Sequence, residues 1–147
     1  MDYRTATLED AEAIGSLWTA CGLGNGAADA IEIAERLRND DGFFIVGTRN
    51  DGGIVASAMG CYDNHRGWVK RVAVSPQAQG QGAGTELVAE LERRFRTAGI
   101  TELRLAVFRD NASAGQFWET KGYEELTNVR YFVKSLKPYV AIGRRTR

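Results

Sequence analysis

Val72-Ala73-Val74-Ser75-Pro76-Gln77-Ala78-Gln79-Gly80-Gln81-Gly82-Ala83-Gly84 is the stretch on which the reading of this chain turns. A β-branched run stops at a proline, which cannot continue a hydrogen-bonded ladder. A glycine-rich loop follows, and an amphipathic helix begins at about Ala83. Strand, glycine loop and helix N-terminus in that order make a seat for a phosphorylated ligand. The glycines let backbone N–H groups point inward, and the helix end adds partial positive charge.

Two familiar phosphate-binding patterns fail on these residues. A P-loop needs a lysine directly after its last glycine, and none follows here. A dinucleotide fingerprint, G-x-G-x-x-G, finds Gly80 and Gly82 but meets Thr85 at its third glycine. Arg104 stands near the place where that pattern wants an acid, and no βαβ unit opens the chain.

Outward from the loop, the 147 residues suit one domain, 1–147, with one core. Tyr3 to Ala6 reads as a first strand, and Thr7-Leu8-Glu9-Asp10 as a capping box with aspartate in the usual glutamate place. A helix follows with Ala11, Ile14, Leu17, Trp18 and Cys21 along one stripe. Gly22, Gly24 and Gly26 break it before a second helix, about Ala28 to Arg38, with Ile31, Ala34 or Glu35, and Leu37 as its candidate face. That glycine-rich joint suits either a plain loop or a lid that shifts over an acceptor.

Phe43 to Thr48, Ile54 to Tyr62 and Trp68 to Ser75 read as strands joined by turns at 50–53 and 63–67. The helix from Ala83 to Thr97 buries Leu87, Val88, Leu91 and Phe95, lines its wet face with Glu86, Glu90 and Arg94, and stops at Gly99. Glu102 to Phe108 alternates as a strand. Asp110 or Asn111 caps a short helix, and Tyr123 to Leu126 with Val129 to Leu136 reads as a closing antiparallel pair. The resulting order is β-α-α-β-β-β-α-β-α-β-β, a mixed α/β arrangement around one sheet.

Composition sets limits. Lysine plus arginine equals aspartate plus glutamate at 19 each, so no nucleic acid or membrane is recruited by bulk charge. Lys137, Arg144, Arg145 and Arg147 form a basic end that reads as a solvated tail. Cys21 and Cys61 form no metal or redox spacing and read as small hydrophobes in a reducing cytoplasm. No signal segment and no long apolar run stand in the sequence, and the expectation is a soluble cytoplasmic protein without a metal.

Gln79, Gly82 and Gly84 also satisfy Q/R-x-x-G-x-G/A, which resembles the acetyl-CoA loop of the GNAT acetyltransferase family. The element order is similar to that family's over nearly the whole chain. Asn111-Ala112-Ser113-Ala114-Gly115-Gln116-Phe117-Trp118-Glu119-Thr120-Lys121-Gly122-Tyr123 resembles its N-x-x-A-x-x-F-Y-x-x-x-G-F segment. The Tyr62-Asp63-Asn64-His65-Arg66-Gly67 run looks like a bacterial subgroup labelled YpeA-like.

The resemblance implies a mixed sheet of about seven strands, splayed between the fourth and fifth, with about four helices. It implies acetyl-CoA as co-substrate, its pantetheine arm lying in the splay against the backbone of Val72, Ala73 and Val74. It implies the pyrophosphate on Gln79, Gly80, Gln81, Gly82, Ala83, Gly84 and Thr85, with Asn111 and Trp118 also beside the cofactor. An N–H near Val72 or Ala73 would polarise the thioester carbonyl. The activity implied is direct acetyl transfer to a primary amine, on a small molecule or a peptide. The alternatives are a silent CoA-binding sensor and a plain nucleotide-phosphate binder.

Trp118 departs from the family's frequent tyrosine, and indole cannot protonate a departing thiolate. A thiol of pKa about 8.5 leaves as thiolate at pH 7 for about 2 kcal/mol, so that loss is small. An alkyl ammonium of pKa about 10.4 costs about 4.6 kcal/mol to deprotonate, so a base or a water chain is expected. Ala106 stands where some relatives that modify protein N-termini have a glutamate. On the acceptor side the candidates are Trp68, Lys70, Asp63 and His65. Lys70 suits a carboxylate-bearing acceptor or is simply solvated. His65 lies seven residues from Val72, roughly 23 Å along a strand, and with Asp63 and Arg66 also reads as turn chemistry. The last two strands offer an edge to a second copy, as a homodimer.

Overall fold

The structure is a computed structural model that describes residues 1–24, 26–39 and 41–136. The chain falls into two compact units, Met1–Phe108 and Arg109–Arg147. The first holds β1 (Asp2–Thr5), α1 (Ala11–Ala20), α2 (Ala27–Arg38), β2 (Phe44–Thr48), β3 (Ile54–Asp63), β4 (Arg66–Val74), α3 (Ala83–Thr97) and β5 (Glu102–Arg104). The strands form one sheet in the order β1-β2-β3-β4-β5, antiparallel except for the last pair, β4 with β5, which is parallel.

Each face of this sheet has its own cover. On one side α1 and α2 supply Ile14, Leu17, Trp18, Ile33 and Leu37, which close over Phe44, Val46, Met59 and Ala73. The face of α2 is set by Asp29, Ile33 and Leu37 at i, i+4 spacing, and not by Ile31, which is 63% exposed. The sequence misleads there because Ile31 and Ile33 lie on nearly opposite stripes, and only the sheet decides which is buried.

On the other side α3 packs against β2, β3 and β4 through the buried Leu87, Val88, Leu91 and Phe95. The helix sits close because two strand residues lack a Cβ. A Cβ on Gly60 would lie 2.5 Å from Phe95 Cζ, and one on Gly67 would lie 2.9 Å from Phe95 Cε1. Arg94 ties α3 to the neighbouring strands, donating to Thr5 Oγ1 at 2.7 Å and to the Gly42 carbonyl at 2.8 Å. Glu90 receives Arg93 and Arg94, and those bonds hold its carboxyl down at about 2.

The lead-in to α1 is the expected capping box in its aspartate form. Asp10 Oδ2 accepts from the Thr7 N–H at 2.7 Å and from Arg4 Nη1 at 2.7 Å, and Arg4 keeps its carboxyl below the usual range. The turn after β2 also closes as read. Gly52 N–H donates to the Arg49 carbonyl at 2.8 Å, and Gly53 N–H to Asp51 Oδ1 at 2.8 Å.

The second unit holds α4 (Ala112–Thr120). Asn111 Oδ1 caps it, accepting from Ala114 N–H at 3.2 Å, and Trp118 lies edge-on to Phe117 and Tyr123. The strands expected at Tyr123 to Leu126 and Val129 to Leu136 do not form among the described residues, so the sheet has five strands and not about seven. The apolar residues there face water: Tyr131 is 79% exposed and Leu136 89%. Strand propensity measures fit to a half-buried pleated surface, and without a ladder partner it specifies nothing. The edge expected to pair with a second copy is likewise no strand here. The basic end from Lys137 onward lies outside the described residues. No helix among the described residues is long and apolar enough to cross a membrane.

Candidate functional site: a parted strand pair and a glycine loop

β4 and β5 pair only over Arg66 with Glu102, Gly67 with Leu103 and Trp68 with Arg104. β4 then runs on to Val74, while residues 105–108 leave strand geometry, which shortens the strand expected from Glu102 to Phe108. Beyond Trp68 the far edge of β4 therefore has no strand beside it among the described residues. Such an edge offers a row of N–H and C=O groups to an extended ligand.

The ladder with β3 fixes which groups face that edge. Ser75 N–H donates to the Val55 carbonyl at 2.8 Å, and Ala73 stands opposite Ser57. Hydrogen-bonded and non-bonded pairs alternate along an antiparallel ladder, so Ala73 turns its polar groups to β3 and Val74 turns its own outward. Between Ala73 and Lys70 the register slips: Arg71 and Val72 together oppose the single residue Ala58, with Arg71 at φ +53°. This β-bulge puts one extra residue into β4 and locally disrupts the ladder. Of the three residues expected to meet the pantetheine arm, Val72 lies in the bulge and Val74 turns its polar groups away from β3, while Ala73 turns its own towards it.

Val74 leads through the 3-10 turn Pro76–Ala78 into the glycine loop. Gly80 and Gly82 take φ of +79° and +84°, a conformation glycine adopts without a Cβ penalty. A Cβ on Gly80 would meet nothing within 4 Å, and one on Gly82 only Glu86 Oε1 at 3.9 Å. The first amide of the helical ladder is Glu86, donating to the Gly82 carbonyl at 3.0 Å. Among the described residues the amides of Gly80, Gln81, Gly82, Ala83, Gly84 and Thr85 donate to no other part of the chain. Six such donors at the positive end of a four-turn helix suit an anion with several oxygens, as a pyrophosphate has.

Tyr3 anchors the start of that helix. Its hydroxyl donates to the Ala83 carbonyl at 3.3 Å, and burial, with the Glu86 carboxylate adding, pushes its pKa up to about 12. The side chains of the loop do less than the pattern suggests. Gln79 Nε2 folds back onto the Val74 carbonyl at 3.0 Å, and Gln81 Nε2 onto Gln77 at 3.3 Å. The Val74 carbonyl also accepts from Cys21 Sγ at 3.2 Å, so only the Val74 N–H is left for a ligand on that residue.

The acceptor-side candidates separate. Lys70 opposes Met59, and Trp68 opposes Cys61, so both stand on the α1–α2 face, since opposed residues share a face. Trp68 is half-buried and Lys70 exposed. Asp63 and His65 lie at the other end of β4, in the hairpin turn that Asn64 makes at φ +54°. There the His65 carbonyl accepts from Thr101 N–H at 3.0 Å, and its ring is exposed. Asn111 and Trp118 belong to the second unit, where one caps α4 and the other packs among aromatics. No group of three or more metal-ligating side chains occurs among the described residues.

Sequence reading missed Arg71. The signal was present: Lys70-Arg71 puts two polar residues in a row where the strand should alternate, as a bulge requires.

The architecture and the chain both have known relatives. The family model "Acetyltransferase (GNAT) family" matches residues 11–123. An acetyltransferase of Pectobacterium atrosepticum is 34% identical over 125 residues, covering 84% of this chain and 88% of its own. One of Photorhabdus laumondii is 32% identical over 126 residues, covering 85% and 87%. Among solved structures, an aminoglycoside antibiotic 6'-N-acetyltransferase from Acinetobacter haemolyticus superposes with a TM-score of 0.75 at 18% identity, over 93% of this chain and all of that one. The PaiA N-acetyltransferase of Thermoplasma acidophilum, in complex with coenzyme A, gives 0.67 at 20% identity, over 84% and 89%. The ribosomal-protein-S18-alanine N-acetyltransferase of Escherichia coli gives 0.72 at 22%, over 86% and 79%. The chain belongs to the GNAT acetyltransferase family and is an enzyme of the N-acetyltransferase type.

Proposed function

We propose that this enzyme moves an acetyl group from acetyl-CoA directly to a primary amine, as one domain whose family match runs through both units. One observation carries the reading: among the described residues, the β4 edge loses its partner after Trp68 and leads straight into a loop whose amides meet no acceptor. Acetyl-CoA supplies the activated thioester when bound. The amides from Gly80 to Thr85 hold the pyrophosphate, and the Val74 N–H pairs with the pantetheine arm. The bulged amides at Arg71 and Val72 face the thioester carbonyl and stabilise the charge that grows on its oxygen. Catalysis then comes mostly from positioning and polarisation. Cys21 does not serve as a nucleophile: burial raises its thiol, and its hydrogen goes to the Val74 carbonyl.

The amine arrives on the α1–α2 face, where β4 leaves Lys70 exposed and Trp68 half-exposed, while α3 packs Phe95 against Gly67 on the other. Trp68 and Lys70 stand on that arrival face. A lysine there opposes polycationic acceptors and favours an amine that also carries a carboxylate. The fold itself sets no such limit, since structural neighbours named above act on an aminoglycoside and on a ribosomal protein's alanine.

Release of free thiol from acetyl-CoA, followed across a panel of amino acids, aminoglycosides and N-terminal peptide amines, tests the proposal. Amine-dependent release with at least one amino-acid-like member is expected. Tight coenzyme A binding with no release from any member would instead favour a silent CoA-binding sensor.

A further inference from the structure

Arg71 holds a left-handed backbone that is strained for a non-glycine residue, so its side chain must return something. It reaches back across the sheet face to the α1–α2 pair. Nη1 donates to the Leu23 carbonyl, just past α1, at 2.6 Å, and Nη2 meets Glu32 Oε2 of α2 at 3.2 Å. The guanidinium lies 4.7 Å from the Trp18 ring centroid. Trp18 is itself fully buried, and its Nε1–H donates to Ser57 Oγ on β3 at 3.1 Å, one step along the ladder from the bulge. One residue therefore joins the chain after α1, the middle of α2 and the bulged backbone of β4.

We propose that Arg71 is the positioning residue for the amine acceptor. This rests on the transferase reading above. The bulge presents the amides that face the thioester carbonyl, while α1 and α2 bound the face on which the amine arrives. Nucleophile and carbonyl come from two different ligands, and transfer needs them at about 3–3.5 Å in a fixed orientation. Arg71 fixes the two supports relative to each other: its backbone is part of one and its planar fork grips the other. Lysine cannot copy this, because a single ammonium does not make two directed bonds while lying flat on an indole.

Arg71→Gly keeps the positive φ without strain and deletes only the grip. Kd for coenzyme A by calorimetry, and kcat and KM for the amine found by the panel, are compared with the parent enzyme. Coenzyme A affinity within about twofold, with kcat/KM for the amine down at least tenfold, is expected. Arg71→Lys should recover only a small part of that loss. Glu32→Gln, at a half-exposed position that leaves the fold intact, should cost about threefold in amine KM alone. Equal losses in coenzyme A and amine affinity would overturn the proposal and make Arg71 a support of the cofactor seat. Unchanged kinetics in both Arg71→Gly and Glu32→Gln would overturn it too, while turnover by the parent enzyme left the transferase reading standing. Absence of thiol release by the parent enzyme with every amine would remove both.

Discussion

Gly82→Asp is expected to weaken coenzyme A binding by at least about 100-fold while the domain stays folded. Backbone and space both allow the change. Aspartate is among the few residues that tolerate the left-handed region, and a Cβ at this position meets only Glu86 Oε1 at 3.9 Å. The electrostatics oppose it. A carboxylate would stand at the first amides of α3, beside the Glu86 carboxylate, where the proposed pyrophosphate must sit. A 100-fold loss corresponds to about 3 kcal/mol, a modest sum for one charge repelling two phosphates at close range. Gly82→Asn separates charge from shape, because it shares the backbone tolerance and carries no charge; its loss should stay under about tenfold. Isothermal titration with circular dichroism as the fold control reads both. Equal losses in the two variants would mean that bulk, not charge, is being measured.

Phe95→Ala should lower the unfolding free energy by about 3–5 kcal/mol, the usual range for a buried phenylalanine that the core cannot collapse around. Collapse is hindered here for a specific reason. The Phe95 ring fills the hollow left by Gly60 and Gly67, which have no side chains with which to fill it themselves. It stacks on Phe43 at 4.5 Å and is 1% exposed. Chemical denaturation should show a lower midpoint with an unchanged slope. The damage should extend to function. Gly67 pairs with Leu103 in the short β4–β5 ladder, so loosening this hollow loosens the point from which the two strands diverge. A loss below about 1 kcal/mol would mean that α3 is held by its rim contacts, chiefly Arg94, and not by this aromatic plug.

Both predictions concern features whose sequence signals differ in kind. α3 was legible to the residue, Ala83 to Thr97, because a glycine-rich start, a 3.6-residue apolar stripe and Gly99 all agree. The glycine loop was legible for the same reason: its residues are constrained by backbone geometry, which sequence states directly. The closing strands were not. Val129 to Leu136 has the composition of a strand, yet composition does not supply the neighbour that a strand needs, and among the described residues none pairs with it. The face of α2 was read through Ile31, Ala34 or Glu35, and Leu37, and Ile33 was missed, since helical period alone does not say which stripe meets the sheet. At the site, the glycine loop and the helix start could be read, but the direction of each β4 amide could not. That direction depends on a one-residue slip against β3, and a slip is a property of two strands together. Gln79 is the opposite case. The pattern named it correctly as part of the loop, while its side chain turns out to serve the Val74 carbonyl.

The central claim is that backbone amides of the glycine loop and of the unpaired β4 edge form one continuous seat for coenzyme A. A titration of the isotopically labelled protein with coenzyme A, followed by amide nuclear magnetic resonance, tests it most directly. The account predicts that Gly80 to Thr85 and Val72 and Val74 shift together along one binding curve, while Ala73, turned to β3, moves least among its neighbours. Shifts confined to the Asp63–Arg66 turn, or a loop and a β4 edge that both stay still at saturation, would contradict it.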